Sequence, residues 1–159
     1  EDRPQSVEAR QEVGHYEGDT MHGASWEKAC VVTVVERVTG LLLVGKSPDK
    51  TVKSVHKVLI RLLRESPLPV RTLTLDNGTE FHGYRGVEAA TGAKVFFARP
   101  HHPWQRGTNE NTNGLLRQYW PKRASMASLS QRQCNQVAHK INSRPRKRHG
   151  YLSPLQLIN

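Results

Sequence analysis

The run Ala29-Cys30-Val31-Val32-Thr33-Val34-Val35-Glu36 decides the fold. Its consecutive β-branched residues are stiff at χ1 and suit an extended backbone, so they predict a strand rather than a helix. Arg37-Val38-Thr39-Gly40 supplies a turn, and Leu41-Leu42-Leu43-Val44-Gly45 returns the chain. Together they spell a β-hairpin with a glycine at its bend. Upstream, His15 to His22 reads as a further strand, so the chain opens on three antiparallel strands.

Downstream the period changes. Val52, Val55, Leu59 and Leu62 recur at spacings of three and four, which predicts a helix over 51–65 that Ser66-Pro67-Leu68-Pro69 stops. Val70 to Leu75 is a short strand, and Asn77-Gly78 turns the chain after it. A short helix over 84–91 closed by Gly92 precedes a strand over 94–98, and the prolines at 100 and 103 mark 99–106 as a loop. A helix over 108–120 takes its apolar side from Leu115, Leu116, Tyr119 and Trp120. A last helix, 128–142, buries Cys134, Val137 and Ile141, with Ser128 and Gln131 as a capping box. Strands followed by alternating strands and helices predict an α/β fold, a five-stranded mixed sheet flanked by helices.

A chain of 159 residues is one domain with room for an apolar core. Its polar opening, Glu1 to Gln11, begins without Met and suggests a piece of something longer. Cys30 and Cys134 fall on core-facing positions and read as buried free thiols, which fits a reducing compartment. No signal peptide and no 18-residue apolar stretch are present in this sequence.

The formal net charge is +10, and it is unevenly placed. Beyond Glu110 there is no Asp or Glu, whereas Arg117, Lys122, Arg123, Arg132, Lys140, Arg144, Arg146, Lys147 and Arg148 contribute nine positive charges. Such asymmetry suits a polyanion, because cations near phosphates release condensed counterions. Acidic lipid is the weaker reading, since no long, strongly amphipathic helix is present.

Against this basic background three acids stand at element ends. Asp19 lies in Gly14-His15-Tyr16-Glu17-Gly18-Asp19-Thr20, Asp76 ends the strand Leu73-Thr74-Leu75, and Glu110 opens a helix. Phosphoryl transfer needs an activated attacking oxygen and a stabilised leaving oxygen, and two hard divalent ions held by carboxylates supply both. Three acids are the minimum when one bridges the ions. Glu17, Glu80 and Glu88 read as surface acids, with Glu80 also a candidate support for the metal site.

Gly18-Asp19, the stretch Thr74-Leu75-Asp76-Asn77-Gly78-Thr79-Glu80-Phe81, and Pro103-Trp104-Gln105-Arg106-Gly107-Thr108-Asn109-Glu110 running on through Arg117 to Tyr119 carry a family signature. They closely resemble bacterial insertion-sequence transposases of the insertion sequence thirty type, as does Asn142-Ser143-Arg144-Pro145-Arg146-Lys147. The resemblance spans essentially the whole chain. It implies an RNase H-like core similar to that of retroviral integrase, with Asp19, Asp76 and Glu110 as catalytic acids and metal ligands. The implied cofactor is Mg²⁺, with Mn²⁺ as substitute, at two ions per site. The implied chemistry is 3′-end cleavage and strand transfer on DNA, performed in the cytoplasm at the nucleoid by a homodimer or larger assembly. Helix-turn-helix regions that precede the core in such proteins are absent from 1–159. Four positions depart from the pattern: Arg99 replaces an acid, His101-His102 an aromatic and a small residue, and Tyr16 a Trp.

Arg106, Arg117, Lys122, Arg123, Arg144, Arg146, Lys147 and Arg148 are the candidate DNA contacts, Arg117 through the resemblance and the last four also as a basic cluster whose plain alternative is solvated surface. Trp104 either stacks on a displaced base or packs under the loop. Adjacent His101 and His102 point apart and have no nearby Cys, so zinc is not expected. A ribonuclease H or structure-specific nuclease, and a DNA-binding assembly module, are the rival functions.

Overall fold

The computed structural model describes residues 3–5, 11–99 and 107–159. β1 (His15–His22), β2 (Cys30–Glu36), β3 (Leu42–Ser47), β4 (Thr72–Leu75) and β5 (Lys94–Phe97) form one sheet in the order β3-β2-β1-β4-β5. β1 to β3 pair antiparallel, whereas β4 joins β1 and β5 joins β4 in parallel, so the sheet is mixed. Helices α1 (Val52–Glu65), α2 (Arg85–Thr91), α3 (Gly107–Leu116), α4 (Gln131–Asn142) and α5 (Pro154–Ile158), with short 3₁₀ turns at Thr79–Phe81 and Lys147–His149, complete the described elements. This is the expected RNase H-like α/β architecture.

β2 shows why the sheet must be covered on both sides. Val32 and Val34 join a core with Val55, Val58, Leu59 and Leu62 of α1, while Val31 and Val35 join a second core with Leu116, Cys134, Ala138 and Ile141. Alternate side chains point to opposite faces, and each face here meets a helix layer. Val52, counted on the buried face of α1 from its spacing, is instead exposed at 37 %, because it sits in the first turn at the sheet's margin.

β3 is an edge strand, and α4 closes it with side-chain amides. The Leu42 N–H donates to Asn142 Oδ1 at 2.9 Å, and Asn142 Nδ2 donates to the Leu42 carbonyl at 2.9 Å. Gln131 repeats the device, accepting from the Lys46 N–H at 2.9 Å and donating to the Val44 carbonyl at 2.8 Å. Backbone groups that another strand would otherwise claim are thereby satisfied within the chain.

Three local expectations change. The capping box of α4 is Ser130 with Gln133, not Ser128 with Gln131, because the helix starts two residues later than the pattern implied. α3 ends at Leu116 rather than Trp120; the following N–H groups of Gln118 and Tyr119 bond three residues back, which tightens the chain out of the α-helix. α5 adds a helix beyond the expected set, with Ser153 and Gln156 forming its capping box and Pro154 opening it. Gly92 ends α2 as expected, in the left-handed conformation (φ 78°) that a side chain disfavours. Cys30 and Cys134 are buried free thiols.

Candidate active site

The parallel pairing of β1 with β4 aligns Glu17 with Thr74. Asp19 and Asp76 each lie two residues further along, so they come level at the same end of neighbouring strands, whose spacing is about 4.8 Å. Asp76 sits just past the last residue of β4, and both acids are half-buried. The Gly78 N–H donates to Asp76 Oδ1 at 2.8 Å and the Thr20 N–H to Asp19 Oδ1 at 2.8 Å, which limits both carboxylates to few orientations.

Helix α3 lies over the same strand. Asn109 donates its N–H to Glu17 Oε1 at 3.2 Å, and Asn113 Nδ2 donates to Asp19 Oδ2 at 3.0 Å. Two residues along a strand and four along a helix cover similar distances, so one face of α3 tracks one face of β1. Glu110, Asn113 and Arg117 recur at three and four on that helix side. Glu110 is exposed, one turn before the residue that touches Asp19. Among the described residues no three His, Cys, Asp or Glu side chains form a group able to hold one metal ion. Three converging carboxylates repel one another, and here one oxygen of Asp19 is engaged by an amide.

The donor set nevertheless fits a hard divalent cation. It offers carboxylate oxygens, and Asn113 Oδ1 beside Asp19 is a buried acceptor with no donor among the described residues. Arg117 stands in the same region: burial pulls its guanidinium below the ordinary value, and it donates to the Trp120 carbonyl at 3.4 Å. Burial, then the Lys50 ammonium, lowers the pKa of His22 at the end of β1, with Arg117 acting in the same direction and Glu80 and Asp19 opposing it.

Two acids read as surface residues are not. Glu80 is 5 % exposed; its Oε1 accepts from the Thr20 hydroxyl at 3.0 Å and pairs with Lys50 Nζ at 3.4 Å. It joins the strand of Asp19 to the turn after Asp76. Glu17 is fully buried, paired with Arg37 Nη1 at 3.0 Å; burial pushes its carboxyl up and Arg37 pulls it back. Only Glu88 is partly accessible, accepting from the Val95 N–H at 3.0 Å. The signals were present: Glu17 is two residues from Asp19 on one strand face, and Glu80 follows Asp76 within a single turn.

The basic candidates divide. Lys122, Arg123, Lys147 and Arg148 are exposed, while Arg144 and Arg146 are partly covered. Arg144 donates to Gln118 Oε1 at 3.0 Å and the Tyr119 hydroxyl at 2.7 Å, Arg146 to the Ile141 carbonyl at 2.9 Å, and Arg148 to the Arg37 carbonyl at 3.3 Å. These three thus also fasten the C-terminal segment to the body. Arg106, Trp104, His101 and His102 lie outside the described residues. No helix among the described residues is long and apolar enough to cross a membrane.

The Integrase core domain family matches residues 9–103. The chain is 44 % identical over 157 residues to the transposase for insertion sequence element IS1086 of Cupriavidus metallidurans, covering 98 % of this chain and 46 % of that protein. It is 37 % identical over 163 residues to the transposase for IS4351 of Bacteroides fragilis (100 % and 50 %) and 36 % identical over 158 residues to transposase InsI for IS30A of Escherichia coli (99 % and 41 %). The chain therefore spans about half the length of the curated relatives it matches. Among solved structures, the catalytic core domain of BIV integrase aligns with a TM-score of 0.67 at 19 % identity, covering 91 % of this chain and 92 % of that one. A simian T-cell lymphotropic virus intasome in complex with PP2A regulatory subunit B56 gamma aligns with a TM-score of 0.73 at 17 % identity (92 % and 54 %). At these identities the two structures share the fold.

Proposed function

Because the chain belongs to the integrase core domain family, we propose that residues 1–159 are the catalytic core of a DDE transposase of the insertion sequence thirty type. It cleaves DNA at a transposon end and joins the freed 3′-hydroxyl to target DNA. The observation that carries this reading is the 3.0 Å hydrogen bond from Asn113 to Asp19, which ties one acid to the helix side bearing Glu110 and Arg117.

Asp19, Asp76 and Glu110 would hold Mg²⁺, or Mn²⁺ in its place, as two ions. Such ions, when bound, favour deprotonation of the attacking oxygen and neutralise charge on the phosphate and the leaving oxygen. The chain's residues do the rest. Asn113 and the Gly78 N–H hold the carboxylates of Asp19 and Asp76 in place. Arg117, with Arg106, Lys122, Arg123, Arg144, Arg146, Lys147 and Arg148, meets the phosphate backbone. In the first step a water oxygen bonds to phosphorus as the P–O3′ bond breaks, and the departing 3′ oxygen gains a proton. In the second, that 3′-hydroxyl oxygen bonds to a target phosphorus, and the target's own 3′ oxygen departs and is protonated. No covalent protein intermediate forms. Two ends are processed together, so the working unit is a homodimer or larger.

The test is joining of a labelled duplex with a recessed 3′-hydroxyl to supercoiled plasmid in Mg²⁺ or Mn²⁺. Asp76→Asn should abolish product while leaving DNA affinity intact, and calorimetry should show weakened Mn²⁺ binding. Full joining by Asp76→Asn would remove the assignment.

A further inference from the structure

The loop that leaves β1 carries Trp26, which is 79 % exposed, the most exposed large hydrophobic side chain among the described residues. Its backbone is firmly held. The Ala24 N–H donates to the Ala124 carbonyl at 3.2 Å, and the Glu27 N–H closes a turn onto the Ala24 carbonyl at 3.0 Å. The Glu27 carboxylate accepts from the Met126 N–H at 2.8 Å and from the Ser125 hydroxyl. Gly23 packs so tightly that a Cβ there would lie 2.0 Å from the Ala124 carbonyl oxygen. The indole is thus presented to solvent on a braced loop rather than left on a slack one.

Beside it lies a hollow of about 400 Å³ lined by Trp26, Lys28, Lys46, Pro48 and Ala127. Lys46 is itself fixed, donating from Nζ to the Ala127 carbonyl at 2.9 Å. Glu27, the one acid in this lining, turns its oxygens to the donors at 125 and 126, which leaves Lys28 and Lys46 as the cations of the hollow. The loop also has the right place. His22 ends β1 three residues beyond Asp19, about 10 Å at the rise of a strand, and the loop starts there.

We propose that Trp26, flanked by Lys28 and Lys46, is a stacking platform for an unpaired nucleobase of a DNA strand leaving the acid site. A paired base already has neighbours on both faces, so the platform takes a frayed or single strand. Every base offers a π face, so the contact is indifferent to sequence, and the lysines meet the adjoining phosphates. The proposal rests on the chain acting on DNA, but not on the chemistry of the acids.

The experiment measures DNA binding in EDTA by fluorescence anisotropy, using a labelled single-stranded oligonucleotide and a blunt duplex. Trp26→Ala should weaken the single strand about 5- to 150-fold, the loss of one base stack, with little change for the duplex. Trp26→Phe should keep most of the affinity. An unchanged thermal midpoint verifies that the variants fold. EDTA removes the metal that end joining needs, so this binding is read whether or not the chain joins ends, and the two readings fail separately. Unchanged single-strand affinity in Trp26→Ala overturns the proposal. So does a fall in sedimenting mass with DNA affinity preserved, which would make the surface a contact between two copies of the chain.

Discussion

Replacing Glu17 by Ala should be among the most damaging single changes, although the residue neither touches solvent nor belongs to the acid trio. Glu17 is 0 % and Arg37 1 % exposed, with 3.0 Å between Oε2 and Nη1. Removing the carboxylate keeps the guanidinium buried while taking away its anion, a change that costs about 3–5 kcal/mol. The Asn109 N–H loses its acceptor as well, about 1–3 kcal/mol more. The two effects share one side chain and overlap, so about 4 kcal/mol is expected, a large part of the ~5–15 kcal/mol that holds a domain together. Glu17→Gln retains an acceptor for Asn109 and should cost less. Glu17→Gln combined with Arg37→Met, which removes both charges and keeps an acceptor for the Asn109 N–H, should approach the parent stability. Urea unfolding with linear extrapolation measures each value. Hydrogen exchange should also accelerate at the first turn of α3, since Glu17 binds its N-terminal amide. A loss below 1 kcal/mol for Glu17→Ala, or a double variant as poor as the sum of its singles, would refute the reasoning.

Asn142→Ala orphans the N–H and carbonyl of Leu42 and should cost about 2–4 kcal/mol by the same urea assay, with aggregation rising as the β3 edge opens. Burial pushes the thiols of Cys30 and Cys134 up to about 11, so iodoacetamide at pH 8 should leave both unmodified in the folded chain and alkylate both in urea. Burial also raises the Tyr16 phenol from 10.0 to about 12, against the lowering effect of its hydrogen bond with Ser66. A raised folded value stabilises fully below pH 10 and is lost between 10 and 12, a span of about 3 kcal/mol at most. Absorbance titration should show one late tyrosine that Tyr16→Phe removes; a parent chain whose tyrosines all ionise near 10 would contradict this.

Periodicity made the sheet legible. Consecutive β-branched residues specify β2 whatever surrounds them, and the three-four spacing of Val55, Leu59 and Leu62 specifies α1. The ends of elements were less legible. The last turn of α3 depends on how Trp120 and Leu116 pack under the sheet, and the start of α4 on which of two serines reaches a free N–H. The first is settled by neighbours distant in sequence, the second by a local choice between two serines with similar spacing. The acids divide in the same way. Asp19 and Asp76 stand out by their motifs, yet the motifs do not say that parallel pairing sets them level.

The sequence by itself determined the order of the strands and of the helices from α1 to α4 and the basic C-terminal third, because each follows from side-chain type and spacing along the chain. Only the tertiary structure decided that Glu17 and Glu80 are interior groups, that Asn113 touches Asp19, and that Trp26 is held out to solvent. Burial and pairing depend on what the fold brings from far along the chain: residue 37 to 17, 50 to 80 and 113 to 19. A carboxylate's chemistry is local, but its environment is assembled.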